Sequence, residues 1–275
     1  MGILLGLAAA ALYGSSDFIG GLASRRLSSV AVNVVGSAVA TALAWAALGL
    51  SDAPAPSTRA IVWGLIGAVG GGVGSLVLYR GLARGRMSVV GPISAVGAAV
   101  IPVMAGVALG ERPGVLAVAG VLVALPAIAL VAGAASHAMF GTGMTDGLMA
   151  GAAFGLMFVA LAQAGAQAGL WPVVFEQTGQ LVFMLAIAAR SRKPLGLTVR
   201  NIGMPIVAGA TGMVATLLYF FATHLGMLTT IAILTSLYPA VTVVLARLVT
   251  HERLGIAQRI GFGLCAIAVV AIAVN

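Results

Sequence analysis

The stretch that decides the fold reads TSLYPAVTVVLARLVTHERLG at residues 235–255, and it has a related copy 141 positions earlier. At this offset Val100 aligns with Val241, Glu111-Arg112 with Glu252-Arg253, and Gly114 with Gly255. In both copies an apolar run of membrane-spanning length ends in Glu-Arg, and a glycine precedes a second apolar run. A repeat of about half the chain indicates two related domains rather than a solenoid.

The composition is that of an integral membrane protein. Hydrophobic residues make up 61% of the 275 residues and charged residues only 7%, whereas soluble domains contain about 25% charged residues. The net charge of +8 does not indicate a nucleic-acid-binding protein, because the cations are scattered through short loops rather than clustered on a soluble face. The single Cys265 excludes an intramolecular disulfide, and the three histidines are too scattered to predict a metal site. We therefore predict no metal and no cofactor.

Ten apolar stretches are long enough to cross a bilayer as helices, which takes roughly 20 residues each. The sequence predicts an all-α polytopic membrane protein whose ten transmembrane helices form two five-helix repeats, residues 1–134 and 146–275. Residues 135–145 are predicted to be the linker between them. The predicted spans are 3–22, 29–50, 60–82, 88–109, 114–134, 146–167, 172–190, 203–225, 227–248 and 255–274.

The basic residues predict the orientation. Twelve of the 14 Lys and Arg residues follow spans 1, 3, 5, 7 and 9, and only Arg59 and Arg112 lie on the other side. The positive-inside rule then places both termini outside the cell membrane. Because five spans is an odd number, the second repeat enters the membrane from the opposite face. Inverted repeats of this kind recur in secondary transporters, where the substrate site lies near the midplane between the repeats.

Several short motifs strengthen this interpretation. They are the first-helix run Leu12-Tyr-Gly-Ser-Ser-Asp-Phe18, the run Leu237-Tyr-Pro-Ala240 and the Glu-Arg turn before the last helix of each half. Together with the five-plus-five arrangement, they resemble the EamA-type members of the drug/metabolite transporter (DMT) superfamily. The resemblance covers nearly the whole chain. It implies transport, since members of that family are mostly exporters of amino acids and other small metabolites, without naming the cargo.

Asp17 is the first candidate for a functional residue. An acid inside a span costs about 2.5–3.5 kcal/mol on insertion scales, so such residues usually face a cavity or a partner. Helical spacing places Tyr13, Ser16 and Asp17 on one face. That face could hold a substrate ammonium, or Asp17 could take up a proton during transport. The structural alternative is that Asp17 hydrogen-bonds a neighbouring helix or pairs with Arg25 or Arg26.

Glu176 is the second candidate. It follows Trp171-Pro172 by about one helical turn on the predicted external side, and Gln180 shares its face four residues later. A ligand at the mouth of a cavity is one interpretation. The other is a carboxylate that extends to water at the interface.

Spans four and nine are predicted to line the substrate path. Pro92 and Pro102 interrupt the first and Pro239 the second, and interrupted helices in matching positions of two repeats point to a transporter site. The alternative is a packing kink without functional meaning. From these spans and their neighbours, the further candidate substrate-binding residues are Tyr79, Ser94, Tyr219, Thr235 and Tyr238.

Two other patterns are predicted to be structural. The glycines of span three, at positions 67, 70, 71 and 74, are spaced for close helix packing. Glu111-Arg112 and Glu252-Arg253 are predicted to begin the next helix and fix its end at the interface.

The leading hypothesis is a secondary active transporter, an exporter of a small metabolite such as an amino acid. It would work by alternating access through a cavity between the inverted repeats, and proton coupling is the mechanism considered for Asp17. We predict no enzymatic activity and no catalytic residue. A passive channel and a non-transporting membrane scaffold remain the alternatives. The expected partners are a small-molecule substrate and the lipid bilayer, without nucleic acid, and the chain is expected to act as a monomer or homodimer.

Overall fold

The computed structural model describes residues 1–84, 87–131, 142–191, 194–250 and 255–273. In this part of the chain helices and short loops occur and no strand is present. A short 3-10 turn at Ala166–Ala168 precedes the seventh helix. The helices are α1 (Gly2–Ser24), α2 (Ser29–Gly49), α3 (Thr58–Arg84), α4 (Met87–Ala108), α5 (Val115–Val131), α6 (Thr142–Gln163), α7 (Trp171–Ser191), α8 (Gly203–Leu225), α9 (Leu228–Thr235), α10 (Tyr238–Thr250) and α11 (Ile256–Ala273).

These eleven helices make ten spans, because α9 and α10 are two halves of one. Seven spans are long and apolar enough to cross a membrane, and three shorter apolar helices lie in α4, α5 and α11. The predicted fold class is therefore confirmed. The largest boundary differences are in α6, which begins and ends four residues before the prediction. Most of the predicted linker, like the Glu252-Arg253 turn, lies outside the described residues.

The ninth span breaks where the sequence predicts an interruption, but the fourth does not. Between α9 and α10 the chain leaves the helix at Ser236 and Leu237, and Pro239 lies in the first turn of α10. The proline ring would clash with the carbonyl of Thr235, four residues earlier, so α9 ends there. By contrast, α4 runs continuously from Met87 to Ala108 through Pro102. The prediction that both spans are interrupted in matching positions was wrong for the first repeat.

Packing between the helices follows the twofold relation of the repeats. Helices α1, α2 and α3 of the first repeat correspond to α6, α7 and α8 of the second. The contact of α1 with α8 therefore matches that of α6 with α3, and the contact of α2 with α8 matches that of α7 with α3. Helices α2 and α7, the counterparts of each other, are also in contact, as are α5 and α11. Large apolar side chains such as Val62, Val182 and Ile267 face outward, as expected of a surface that lipid covers.

One pair of crossings shows the repeat at residue level. A methyl group on Gly14 of α1 would meet the carbonyl oxygen of Tyr238, and one on Gly155 of α6 would lie 3.2 Å from the carbonyl oxygen of Gly97. Gly155 and Tyr238 are 141 positions after Gly14 and Gly97. The same residue type therefore permits close approach of helices in both halves.

Helices α2 and α8 cross most closely at Gly36 and Gly209. A methyl group on Gly209 would meet the backbone of Gly36, whereas one on Gly36 would have nothing nearer than 3.6 Å. We expect Gly209→Ala to lower the free energy of unfolding by about 1–3 kcal/mol, because the backbones must separate. Gly36→Ala at the same crossing should have little effect. Thermal unfolding of purified protein in detergent checks this, and equal stability of the two variants would contradict the geometry.

Candidate functional site

A cavity of about 100 Å³ lies between the first three helices of each repeat. Helices α1, α2 and α3 form one side and α6, α7 and α8 the other, and Tyr238 contributes from α10. Three helix pairs related by the repeat therefore surround it, as expected for a site on the axis between the halves.

Residues related by the 141-residue offset face this cavity from both repeats. The pairs that line it are Tyr13 with Phe154, Ser16 with Met157, Asp17 with Phe158, Gly36 with Gln177, Gly71 with Gly212, and Ser75 with Thr216. Duplication has thus kept the shape of the site, but its chemistry differs between the halves. The tyrosine, serine and aspartate of α1 are replaced in α6 by phenylalanine, methionine and phenylalanine. The cavity has one polar wall and one apolar, aromatic wall.

Asp17 projects from the polar wall. The side chains of Tyr13, Tyr79 and Tyr238 are near it. Within the described residues, Asp17 has no hydrogen-bond or ion-pair partner, and neither Arg25 nor Arg26 pairs with it. The ion pair found in the described part of the chain joins two other residues, Arg80 and Asp146. The structural alternatives for Asp17 are therefore not observed. A carboxyl without a protein partner in a membrane cavity is available to a ligand or a proton.

Glu176 reaches the same cavity from α7. It is 1% exposed, and neither carboxylate oxygen has a hydrogen-bond partner among the described residues. The interpretation that its side chain extends to water was wrong. Glycines of α3 let the start of α7 lie against that helix; a methyl on Gly67 would be 3.2 Å from Glu176 Cγ. The indole of Trp171 donates to the carbonyl of Pro54 at 2.6 Å, which fixes the α2–α3 loop to the start of α7.

Hydroxyl groups of the lining join the two repeats. The hydroxyl oxygens of Tyr13 and Thr216 are 2.9 Å apart and form a hydrogen bond. Because the Thr216 hydroxyl donates its hydrogen to the carbonyl of Gly212, Tyr13 is the donor to Thr216. The Ser16 hydroxyl donates to the carbonyl of Ala208 at 2.8 Å. These bonds hold α1 against α8 and use the hydroxyl hydrogens within the protein.

Of the ten predicted site residues, seven line the cavity and three do not. Ser94 accepts a hydrogen bond from the Tyr238 hydroxyl at 3.2 Å and is fully buried. The Thr235 hydroxyl donates a hydrogen bond to the carbonyl of Gly6 at 3.5 Å. Tyr219 donates to the carbonyl of Phe158 at 3.0 Å, and the two rings are tilted by 32° with centroids 4.4 Å apart. The seven lining residues are Tyr13, Ser16, Asp17, Tyr79, Glu176, Gln180 and Tyr238.

The predicted path along spans four and nine is not where the cavity lies. Of span nine only Tyr238 reaches it, and no described residue of α4 does. Helix α4 packs on α6 and α9, and α9 packs on α1 and α4. Helices α1 and α6 therefore separate these spans from the cavity.

Sequence reasoning missed several polar lining residues. Asn33 and Ser37 come from α2, Gln177 from α7 and Thr216 from α8. One signal was available for Thr216: it aligns with Ser75 at the repeat offset, and both are polar positions in otherwise apolar helices. No comparable pattern singles out Asn33 or Gln177. Among the described residues, no group of three His, Cys, Asp or Glu side chains is placed to hold a metal ion.

A scan of family models places this architecture among known proteins. The model described as "EamA-like transporter family" matches residues 1–133 and 141–274, one match for each repeat. The chain belongs to the EamA-like transporter family. It is therefore a multi-pass membrane protein with a transporter role, in a family of transporters rather than enzymes.

Comparison with solved structures agrees with this fold. Several solved structures match the EamA-like chain, among them a crystal structure with a TM-score of 0.68 and 17% sequence identity, over 99% of this chain and 96% of the other. At that identity the likeness shows the fold alone. The search of curated proteins gave no match.

Among the α3 glycines of this EamA-like transporter, close packing on α6 is confirmed at Gly70 and Gly74, where a methyl would lie 2.5 Å from the carbonyl oxygen of Ala153 and 2.7 Å from the Phe154 ring. Gly71 instead lines the cavity. A methyl on Gly71 would lie 2.7 Å from Glu176 Oε1 and 2.8 Å from Gln180 Oε1. We expect Gly71→Ala to displace both side chains and to lower transport at least about tenfold, the effect of 1.4 kcal/mol. Gly36→Ala, at another lining glycine, is the matched control. Wild-type uptake by Gly71→Ala in proteoliposomes would contradict the placement of Glu176.

Proposed function

We propose that this protein is a secondary active transporter that exports a small metabolite bearing an amino group, such as an amino acid or an amine. The observation that carries the proposal is the pair of partnerless carboxyl groups, Asp17 and Glu176, in one cavity between the repeats. Carboxyl groups without partners are costly inside a membrane, and they are typical of substrate and ion pathways.

Contacts between the halves favour alternating access around this cavity. Near the end of α3, Arg80 forms a 2.6 Å ion pair with Asp146 of α6. Beyond the end of α4, at the opposite membrane face, Glu111 accepts hydrogen bonds from the start of α9. Both contacts join one repeat to the other. A rocking motion that opens one face would break the contact at that face and leave the other in place.

We further propose that a proton gradient supplies the energy, with Asp17 as the residue that takes up the proton. The distribution of Lys and Arg supports a cell membrane location with both termini external. Both repeats lie in one chain and both walls of the cavity come from it, so a monomer supplies a whole site. A homodimer would then contain two independent sites.

The test is gradient-driven uptake by purified protein in liposomes. Radiolabelled amino acids and amines are offered with and without an imposed pH gradient, beside protein-free liposomes. We expect saturable uptake of at least one compound, abolished when an ionophore collapses the gradient. Saturable uptake at the same rate with and without the pH gradient would contradict proton coupling. Flux that does not saturate with substrate concentration would indicate a channel. No uptake of any compound by folded protein would contradict the transport proposal.

A further inference from the structure

We infer that the cargo is an organic amine that carries a positive charge, an apolar or aromatic group and no carboxylate. This deepens the proposed function and rests on it, because it assigns a substrate class to the same cavity. The inference comes from three properties of the lining: its charge, the direction of its hydrogen bonds and its apolar wall.

Among the described lining residues, acids are the only ones that can contribute a full charge near neutral pH, so that charge can only be negative. Two acids line the cavity, and none of the described lining residues is Lys, Arg or His. The nearest ion pair, between Arg80 and Asp146, involves no lining residue. A bound ammonium would give the carboxylate oxygens the donors that they lack, whereas a second carboxylate would meet repulsion from Asp17 and Glu176.

Many donors of the lining are used within the protein, whereas its two carboxyl groups are acceptors without a hydrogen-bond partner. The hydroxyls of Ser16 and Ser37 donate to backbone carbonyls at 2.8 and 2.6 Å, and the amide of Asn33 donates to the carbonyl of Ser29 at 2.8 Å. The hydroxyls of Thr216 and Tyr238 also donate within the protein. A substrate carboxylate needs donors, and the hydroxyl hydrogens of these four residues and one amide hydrogen of Asn33 are already used. An ammonium needs acceptors, which the two carboxyls supply.

The wall opposite Asp17 suits a hydrocarbon group. Phe154, Met157 and Phe158 line it from α6, and the rings of Tyr13 and Phe158 are 5.8 Å apart between centroids. Aromatic faces attract cations, and methionine adapts to varied apolar shapes. A primary amine with one apolar arm would therefore place its charge on α1 and α7 and its arm on α6.

The experiment compares two probes that differ only by a carboxylate, phenethylamine and phenylalanine. Binding to purified protein in detergent is measured by calorimetry at neutral to mildly alkaline pH. Binding is used here because uncharged phenethylamine crosses bilayers unaided. We expect phenethylamine to bind at least about tenfold more tightly than phenylalanine, a difference of 1.4 kcal/mol.

The variants show whether the carboxyl groups cause that preference. Asp17→Asn and Glu176→Gln should each weaken phenethylamine binding at least about tenfold and leave phenylalanine binding unchanged or improved. Asp52→Asn, which removes an exposed acid in the α2–α3 loop, should alter neither.

Equal or tighter binding of phenylalanine would overturn the inference and leave the transport proposal intact. Binding of neither probe, by protein with a cooperative thermal transition, would also overturn it. The transport proposal fails separately, if the liposome assay shows no uptake of any compound.

Discussion

Asp17→Asn is expected to abolish gradient-driven transport while leaving the protein folded. The Asp17 carboxyl has no hydrogen-bond or ion-pair partner in the part of the chain that the structure describes, so its loss removes no observed contact that holds helices together. In the proposed function, Asp17 pairs with the charge of the bound substrate or with a proton. Removing one partner of a buried charge pair costs about 2–5 kcal/mol, or roughly 30-fold to several thousand-fold in affinity. The measurement is initial uptake in proteoliposomes under an imposed pH gradient, with the thermal transition recorded for each preparation.

Two further variants make this result specific. Asp52→Asn changes the same residue type at an exposed position and should transport like the wild type. Glu176→Gln should also lose most transport, because its carboxyl lines the same cavity. Undiminished, gradient-dependent uptake by Asp17→Asn would show that Asp17 has no role in coupling. A variant that no longer folds would assign Asp17 a structural role instead.

The ten-span architecture and the inverted repeat could be predicted from the sequence because their signals are local or periodic. Apolar runs of about 20 residues mark each span, and the 141-residue offset relates the halves without any knowledge of contacts. Asp17 and Glu176 were also visible, since an acid in an apolar helix is conspicuous wherever it lies. These signals need only the order of residues along the chain.

The position of the cavity could not be predicted, because it depends on which helices cross and how closely. Glycines at 14 and 155 bring α1 onto α10 and α6 onto α4, and this arrangement moves spans four and nine away from the site. Ser94 and Thr235 share a repeat position and polar character, yet both are fully buried outside the cavity. The spacing of polar residues in the sequence does not distinguish one that lines the cavity from one that hydrogen-bonds a neighbouring helix.

Glu111 shows the same limit at a loop. The sequence predicted that it begins α5, but that helix begins at Val115. Its carboxylate instead accepts hydrogen bonds from the backbone amides of Leu228 and Thr229, at 2.6 and 2.9 Å, at the start of α9 in the other repeat. The first amides of a helix lack partners and favour a negative charge. A glutamate is thus suited to the start of a helix, but the prediction assigned Glu111 to α5 instead of α9. Its repeat counterpart, Glu252, lies outside the described residues.

Glu111→Ala is expected to lower both stability and transport. It removes two bonds from backbone amides and a third, 2.5 Å long, from the Thr229 hydroxyl. Loss of a capping side chain costs about 0.5–2 kcal/mol, and hydrogen bonds to a charged group about 1.5–3 kcal/mol. We expect a loss of about 1–3 kcal/mol in the free energy of unfolding. The thermal transition in detergent and uptake in proteoliposomes measure the two effects.

A double-mutant cycle tests whether the effect passes through the contact with α9. Thr229→Val removes one of the three bonds and should be less damaging than Glu111→Ala, and the two changes should be non-additive by about 0.5–1.5 kcal/mol. Gly106→Ala offers an independent route, since a methyl there would meet the carboxylate and lie 2.5 Å from Thr229 Oγ1. It should reproduce the loss with Glu111 still present. Additive effects of the Glu111 and Thr229 substitutions would mean that the hydroxyl bond contributes nothing, and wild-type stability of Gly106→Ala would mean that Glu111 acts elsewhere.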